Sequence, residues 1–195
     1  MKVISLVSNV KNYMSKNIIE KIVKKFQTNK NLYMGEKITI AEHMIQTAML
    51  AEKNNSTDEL ICSSLLHDFG HFVIYDPNLL VTKALDGKHE ELAYNFLNNY
   101  FGPEVTIPIK LHVQAKRYLC RDNVYNNLLS SASKISLKLQ GGKMNDDEAK
   151  KFTSLKFYKD AITLRRYDEE GKKPNIKMKK INEYKDLLTA QLIKH

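Results

Sequence analysis

Five of the six histidines in this chain fall into one ordered series with two aspartates: His43, His67-Asp68, His71, His89, His112 and Asp168. Neutral imidazole and carboxylate are the ligands that borderline and hard cations such as iron, manganese, zinc or cobalt take. Residues four apart on a helix share a face, so His67 and His71 can point the same way. Asp68, rotated about 100° from His67, can reach an ion off the same helix end. A carboxylate has two oxygens and can bridge two ions, which an imidazole cannot do. Asp68 is therefore the natural bridge, with His43, His67 and Asp168 expected on one ion and His89 and His112 on the other. Each ion would keep open positions for water, dioxygen or substrate. A lone helical histidine is more often a satisfied core residue; five in register with a His-Asp doublet point to a two-metal site.

Helices must hold these residues, because nearly every segment has helical periodicity and helix punctuation. Thr39-Ile40-Ala41-Glu42 is a capping box that opens a helix through Lys53. Ser56-Thr57-Asp58-Glu59 repeats the signal and launches the helix that carries Cys62, Leu65, Leu66 and His67-Asp68, loosened near its end by Gly70. Asp86-Gly87 precedes a helix from Lys88 to Tyr100, and Gly102-Pro103 stops it and starts the next, through Lys116. Further helices are expected over Asp122 to Leu129, Ser131 to Leu139, Asn145 to Phe152, Tyr158 to Tyr167 and Ile176 to Ile193, with Gly141-Gly142 as a stop. No alternating strand pattern or internal repeat interrupts them. The expected fold is all-α, one compact bundle over residues 1–195: an N-terminal helical segment (1–32), a metal-site core (33–168) and a C-terminal helix (169–195).

At 43% hydrophobic and 27% charged residues the chain has globular rather than disordered composition. The apolar run in Met1 to Val10 is too short for a signal peptide, and no window reaches the ~18 apolar residues of a membrane span. A soluble, cytoplasmic protein is expected, with Cys62 and Cys120 packed as free thiols. The net charge of +9 suits an anionic partner. Eleven of the lysines, however, lie in Lys16 to Lys30 and Lys172 to Lys185, where they are expected to coat solvated helix faces. Without aromatic interleaving or zinc-finger spacing, neither nucleic acid nor membrane is an expected partner. Oligomeric state is not legible.

His43…His67-Asp68…Asp168 resembles the defining pattern of the HD-domain superfamily, all-helical metalloproteins that are mostly phosphohydrolases. The resemblance runs from about Tyr33 to Asp168, and the extra His89 and His112 look like those of two-metal members. Four further features narrow it: Tyr33-Met34-Gly35-Glu36 ahead of the first ligand helix; Leu111-His112-Val113-Gln114-Ala115-Lys116-Arg117-Tyr118-Leu119-Cys120; Leu139-Gln140-Gly141-Gly142-Lys143-Met144; and Leu164-Arg165-Arg166-Tyr167-Asp168. Together they are similar to the small phosphonate-degrading HD-domain oxygenases, relatives of myo-inositol oxygenase with a mixed-valent Fe(II)/Fe(III) pair.

The resemblance implies two iron ions and oxidative cleavage of the carbon–phosphorus bond of a 1-hydroxyalkylphosphonate, typically 2-amino or 2-trimethylammonio substituted. Dioxygen would be consumed and phosphate and a carboxylic acid formed. Lys116 and Arg165, each one helical turn from a ligand, would hold phosphonate oxygens. His71 would donate a hydrogen bond to the same group, and Ser133 matches a phosphonate contact loosely. Glu36 would pair with a cationic nitrogen, and Tyr33 would cover an iron position until substrate arrives. The alternative is a metal-dependent phosphohydrolase acting on a nucleotide or other phosphate ester, in which the same ions activate water. A hydrolase has no evident need for a carboxylate facing an ammonium group. A catalytically silent HD module that binds a ligand or partner is the third reading.

Overall fold

The computed structural model describes residues 17–33, 36–73 and 88–193. They are built from helices, with isolated bridges Leu32–Thr39 and Phe101–Leu192 and no strand among the described residues. In chain order these are α1 (residues 17–28), α2 (Ile40–Lys53), α3 (Asp58–Leu66), α4 (Gly70–Val73), α5 (His89–Leu97), α6 (Pro103–Leu119), α7 (Asn123–Leu128), α8 (Ser131–Leu139), α9 (Asp146–Thr153), α10 (Tyr158–Glu170), a tight turn Ile181–Tyr184 and α11 (Lys185–Ala190). The expected all-α class is met. Met1 to Val10, Lys16, Met34-Gly35, Asp86-Gly87 and His195 lie outside the described residues. No described helix is long and apolar enough to cross a membrane.

Helix starts follow local chemistry. Glu42 N–H donates to Thr39 Oγ1 at 3.1 Å while Thr39 N–H donates to Glu42 Oε2 at 2.7 Å, closing the expected capping box. Asn145 and Glu148 repeat the device ahead of α9. At α3 the cap is shifted by one residue: Thr57, not Ser56, accepts from Leu60 N–H, and the Ser56 hydroxyl lies 3.2 Å from Tyr167 Oη. Pro103 opens α6 behind Gly102, where its missing N–H costs nothing.

Two expected helices differ. The helix leading to the His-Asp doublet ends at Leu66, and His67 to Phe69 form a turn in which Phe69 N–H reaches back only to Leu66 C=O. The Ser64 carbonyl, which a continuing helix would offer to Asp68 N–H, accepts from His67 Nδ1 at 2.9 Å instead. His67 and His71 therefore do not share one continuous helix face. Ile176 to Ile193 is not one helix either. Residues 176–180 are irregular, with Lys179 N–H on Met49 Sδ, before the tight turn and α11 bury Ile181, Tyr184 and Leu188.

One large apolar core joins Ile22 and Phe26 of α1, Met44 and Ala48 of α2, Leu65 and Leu66 of α3, and Leu97, Ile109, Tyr184 and Leu188. A smaller one sets Leu111 and Ala115 of α6 against Phe152 and Ala161. Helix α10 packs along α6 and across α2 and α3, so one helix touches the two that carry His112 and His43 and the one that leads to His67. The short α4 lies against α5 so closely that a Cβ on Gly70 would stand 1.9 Å from the His89 carbonyl oxygen. Only glycine permits that approach. Cys62 and Cys120 are buried and unpaired, as expected.

Candidate metal centre

Six side chains from α2, the turn after α3, α5, α6 and α10 converge in the interior. His43, His67, Asp68, His112 and Asp168 are at most 3% exposed. On one side His43 Nε2 lies 3.1 Å from His67 Nε2 and 3.3 Å from Asp168 Oδ1. Asp68 Oδ2 is 3.6 Å from His43 Nε2 and 3.4 Å from His67 Nε2. On the other side His89 Nε2 lies 3.1 Å from His112 Nε2, and Asp68 Oδ1 is 3.2 and 3.5 Å from the two. The two oxygens of Asp68 thus face two different histidine pairs, the disposition a bridging carboxylate needs.

The proton positions test whether cations fit. His43 Nδ1 is 2.9 Å from Gly171 C=O, His67 Nδ1 2.9 Å from Ser64 C=O and His112 Nδ1 2.7 Å from Ile109 C=O. A carbonyl only accepts, so each Nδ1 carries the hydrogen and each Nε2 presents a bare lone pair. The orphaned carboxylate oxygens point the same way: Asp68 Oδ2 and Asp168 Oδ1 are buried with no donor. Burial alone would raise the pKa of Asp168, yet the charges of Arg165 and Lys172 hold it well below the ordinary range, so it faces the cage as a carboxylate. The result is a cage whose inward-facing atoms are acceptors, the lining a cation needs. Ligands about 2.1 Å from one ion at 90–110° stand roughly 3.0–3.4 Å from one another. The observed edges run from 3.1 to 3.6 Å, with the two longest at Asp68.

Beside the cage stand the expected cations. Arg165 is 3% exposed; its Nε donates to Tyr125 Oη at 3.1 Å, its Nη1 to Asp168 Oδ2, and its Nη2 to Ser133 Oγ and Glu169 Oε2. Lys116, 5% exposed, donates to Ser136 Oγ at 2.8 Å. Burial first, then repulsion by Arg165 and Lys172, pushes its ammonium down to about 7. The Tyr33 ring lies on the His43 ring, centroids 4.2 Å apart, and burial with the nearby Asp68 and Asp168 charges keeps its phenol protonated. His71 stacks on His89 at 4.4 Å, and burial with repulsion from His89 pushes it down to about 3, leaving a neutral ring. One of its ring nitrogens clusters with a carboxylate oxygen of Asp68 and a ring nitrogen of His89. Ser133 stands in the site, but its hydroxyl hydrogen goes to Glu169 Oε2 at 2.8 Å. Glu36 is half-buried, its N–H on the Tyr33 carbonyl, and its carboxylate makes none of the hydrogen bonds of this cluster.

Comparison with known proteins gives this constellation its relatives. The HD-domain profile matches residues 40–152. A 1-hydroxy-2-(trimethylamino)ethylphosphonate dioxygenase (glycine-betaine-forming) of Leisingera caerulea is 38% identical over 164 residues, 84% of this chain and 84% of its own. A hydroxymethylphosphonate dioxygenase of Gimesia maris is 42% identical over 156 residues, 78% of this chain and 77% of its own. The chain belongs to the HD-domain phosphonate dioxygenases. An uncharacterized protein of Acanthamoeba polyphaga mimivirus is 31% identical over 187 residues, 90% of this chain and 85% of its own. Membership of this dioxygenase family implies a metal cofactor, and the two His/Asp clusters are able to hold one.

Parts of the centre lie beyond the profile match and were not foreseen. Glu169 Oε2 gathers Ser133 Oγ, Arg165 Nη2 and Lys172 Nζ, while Oε1 accepts Ser130 N–H at 2.8 Å. Lys172 corrects the expectation that its stretch is solvated. Its side chain is 7% exposed, with Nζ 2.9 Å from Glu169 Oε2 and 2.9 Å from Ser133 Oγ. The cause is how the chain is anchored after α10: the helix stops at Glu170, Gly171 packs against Thr47, and Gln46 takes both backbone groups of Lys173 at 2.8 and 2.9 Å. The one available signal was spacing, Glu169 four after Arg165 and Lys172 four after Asp168.

Proposed function

We propose that this protein is an oxygen-dependent diiron oxygenase cleaving the C–P bond of a 1-hydroxyalkylphosphonate to phosphate and a carboxylic acid. The observation that carries the reading is an acceptor-only cage for two ions built directly beside three buried cations. Relatives named as phosphonate dioxygenases at 38% and 42% identity support it. In this reading His43, His67 and Asp168 hold one iron, His89 and His112 the other, and Asp68 bridges them. The Fe(II)/Fe(III) pair, when bound, supplies Lewis acidity and redox chemistry toward dioxygen.

The chain's own residues supply the rest. Lys116, with two ammonium hydrogens left beyond its bond to Ser136, and the remaining Nη1 hydrogen of Arg165 grip the phosphonate oxygens. Ser133 orients Arg165 rather than the substrate in this arrangement, because its own hydrogen goes to Glu169. Neutral His71, flat on His89, offers a single N–H donor without adding charge. Tyr33, protonated and tilted at 33° over the His43 ring, would screen the first ion's open side from water and offer an O–H to an incoming oxygen. Glu36 takes the part of counter-ion to a cationic group on carbon 2.

Phosphate release by iron-loaded protein from hydroxymethylphosphonate and its 2-amino and 2-trimethylammonio homologues, with and without dioxygen, tests the proposal. Phosphate and the matching carboxylate that appear only with oxygen are expected. Equal release under nitrogen would replace the oxygenase by a hydrolase.

A further inference from the structure

Beside the ligand cage the side chains hold more positive charge than the nearby acids balance. Arg165 and Lys116 are buried there, and the side chain of Lys172 is 7% exposed. Of the two nearby acids, Asp168 turns one oxygen to Arg165 and the other into the ligand cage, so Glu169 is left to offset the three cations. Unmatched charge is costly to bury, so such a cluster is suited to receive an anion. Donor accounting sharpens the point. Arg165 gives four of its five N–H groups to Tyr125, Asp168, Ser133 and Glu169. One guanidinium hydrogen and Lys116 do not exhaust the acceptor capacity of three phosphonate oxygens.

We propose that Lys172 is a third phosphonate-binding cation of this site, held there by Glu169 as a positioning residue. The geometry is fixed from both sides. The residue before it, Gly171, gives its carbonyl to His43 Nδ1 at 2.9 Å, and the residue after it, Lys173, is clamped through N–H and C=O by Gln46. The backbone of Lys172 is thereby fastened to α2 within one residue of a ligand contact. Its Nζ lies 4.0 Å from Asp168 Oδ1, the oxygen that faces the first ion, and 5.6 Å from the Tyr33 ring centroid. Two of its three hydrogens go to Ser133 Oγ and Glu169 Oε2, and among the described residues the third has no hydrogen-bond partner. A solvated lysine on a surface helix needs none of this fastening.

The inference rests on the phosphonate reading of the site, and the experiment separates the two. Methylphosphonate, which carries the anionic group but no 1-hydroxyl, is titrated calorimetrically into the metal-loaded wild type, Lys172→Met and the double variant Lys172→Met/Glu169→Gln. Metal content and Tm are measured alongside. The double variant removes the buried pair together and guards against a fold lost to a stranded Glu169. Losing one charged hydrogen bond is expected to weaken methylphosphonate binding about 10- to 100-fold in both variants, with metal content unchanged. Lys172→Met should raise KM for the turned-over phosphonate far more than it lowers kcat, a split that a purely structural lysine would not give. Wild-type affinity in a folded, metal-replete double variant would overturn the proposal, as would a wild type that does not bind methylphosphonate. If the wild type binds it and the variants do not, yet no hydroxyphosphonate is turned over, the anion site stands and the oxygenase reading falls.

Discussion

Replacing Gly70 by alanine places a methyl group inside the His89 backbone: 1.9 Å from the carbonyl oxygen, 2.7 Å from the carbonyl carbon and 3.0 Å from Cα. Ordinary contact begins near 3.4 Å, so α4 and the start of α5 must separate by about 1.5 Å. No flexible side-chain end is there to swing aside. Overpacking of this kind costs about 1–3 kcal/mol, which at this chain length lowers Tm by roughly 2–12 °C. The larger effect falls on the centre, because His89 opens α5 and metal–ligand bonds tolerate only about ±0.2 Å. We expect Gly70→Ala to keep the ion held by His43, His67 and Asp168 and to weaken the other at least about 10-fold. Metal per chain after dialysis against graded chelator, together with thermal denaturation, reads both effects. Gly102→Ala is the control, since its Cβ meets only the movable Glu104 carboxylate, and it should retain both ions. If Gly70→Ala binds two ions with wild-type affinity and melts within about 1 °C of wild type, the close-approach argument is wrong.

Asp68→Asn removes the charge that faces both histidine pairs, so metal content should fall by at least one ion per chain and turnover by more than about 1000-fold; elemental analysis and phosphate release check it. Lys116, pushed down to about 7, is an ammonium below that pH and loses its charge above it. KM for the phosphonate should therefore rise between pH 6.5 and 8.5, and a pH profile of Lys116→Arg, always charged, should be flatter. The Cys62 thiol is raised well above its ordinary value by burial and by Glu59 and Asp58, so iodoacetamide at pH 8 should label it only after unfolding, as mass spectrometry would show. Stripping the metals leaves lone pairs facing one another in the cage. Tm should drop and return on metal addition, by about 2.7 kcal/mol of linkage at a hundredfold excess over Kd.

How much was legible follows from where each signal resides. The ligand series could be read because six residues of ligating type stand in a fixed order, and the Thr39 capping box because its two members lie three residues apart. The turn after Leu66 was hidden because no Gly or Pro precedes Gly70; a side chain, His67, takes the carbonyl that would continue the helix. Ser56 and Thr57 are both competent caps, and the choice between them is settled by Tyr167, on a distant helix. Lys172 was the hardest to see. It sits in a lysine-rich stretch that reads as solvated, and only the clamp from Gln46, 127 residues from Lys173, turns it inward. Long-range fastening of this kind leaves no periodic trace in the sequence.

The bridging position of Asp68 also has a bearing on biosynthesis. The pair of histidines facing its Oδ1 lies with it in residues 68–112, whereas the set facing Oδ2 begins at His43 and is complete only when Asp168 has been made. Synthesis proceeds from the N-terminus, and contacts far apart in sequence form late. A ribosome-bound chain with His112 emerged already carries the ligands of one ion, while the other must wait for α10 and the Gly171–Lys173 clamp to dock on α2. Loading is therefore expected to be ordered. Stalled chains ending before Asp168 should retain one metal and finished chains two, so that the pair comes into being only once the last part of the chain has closed over the first.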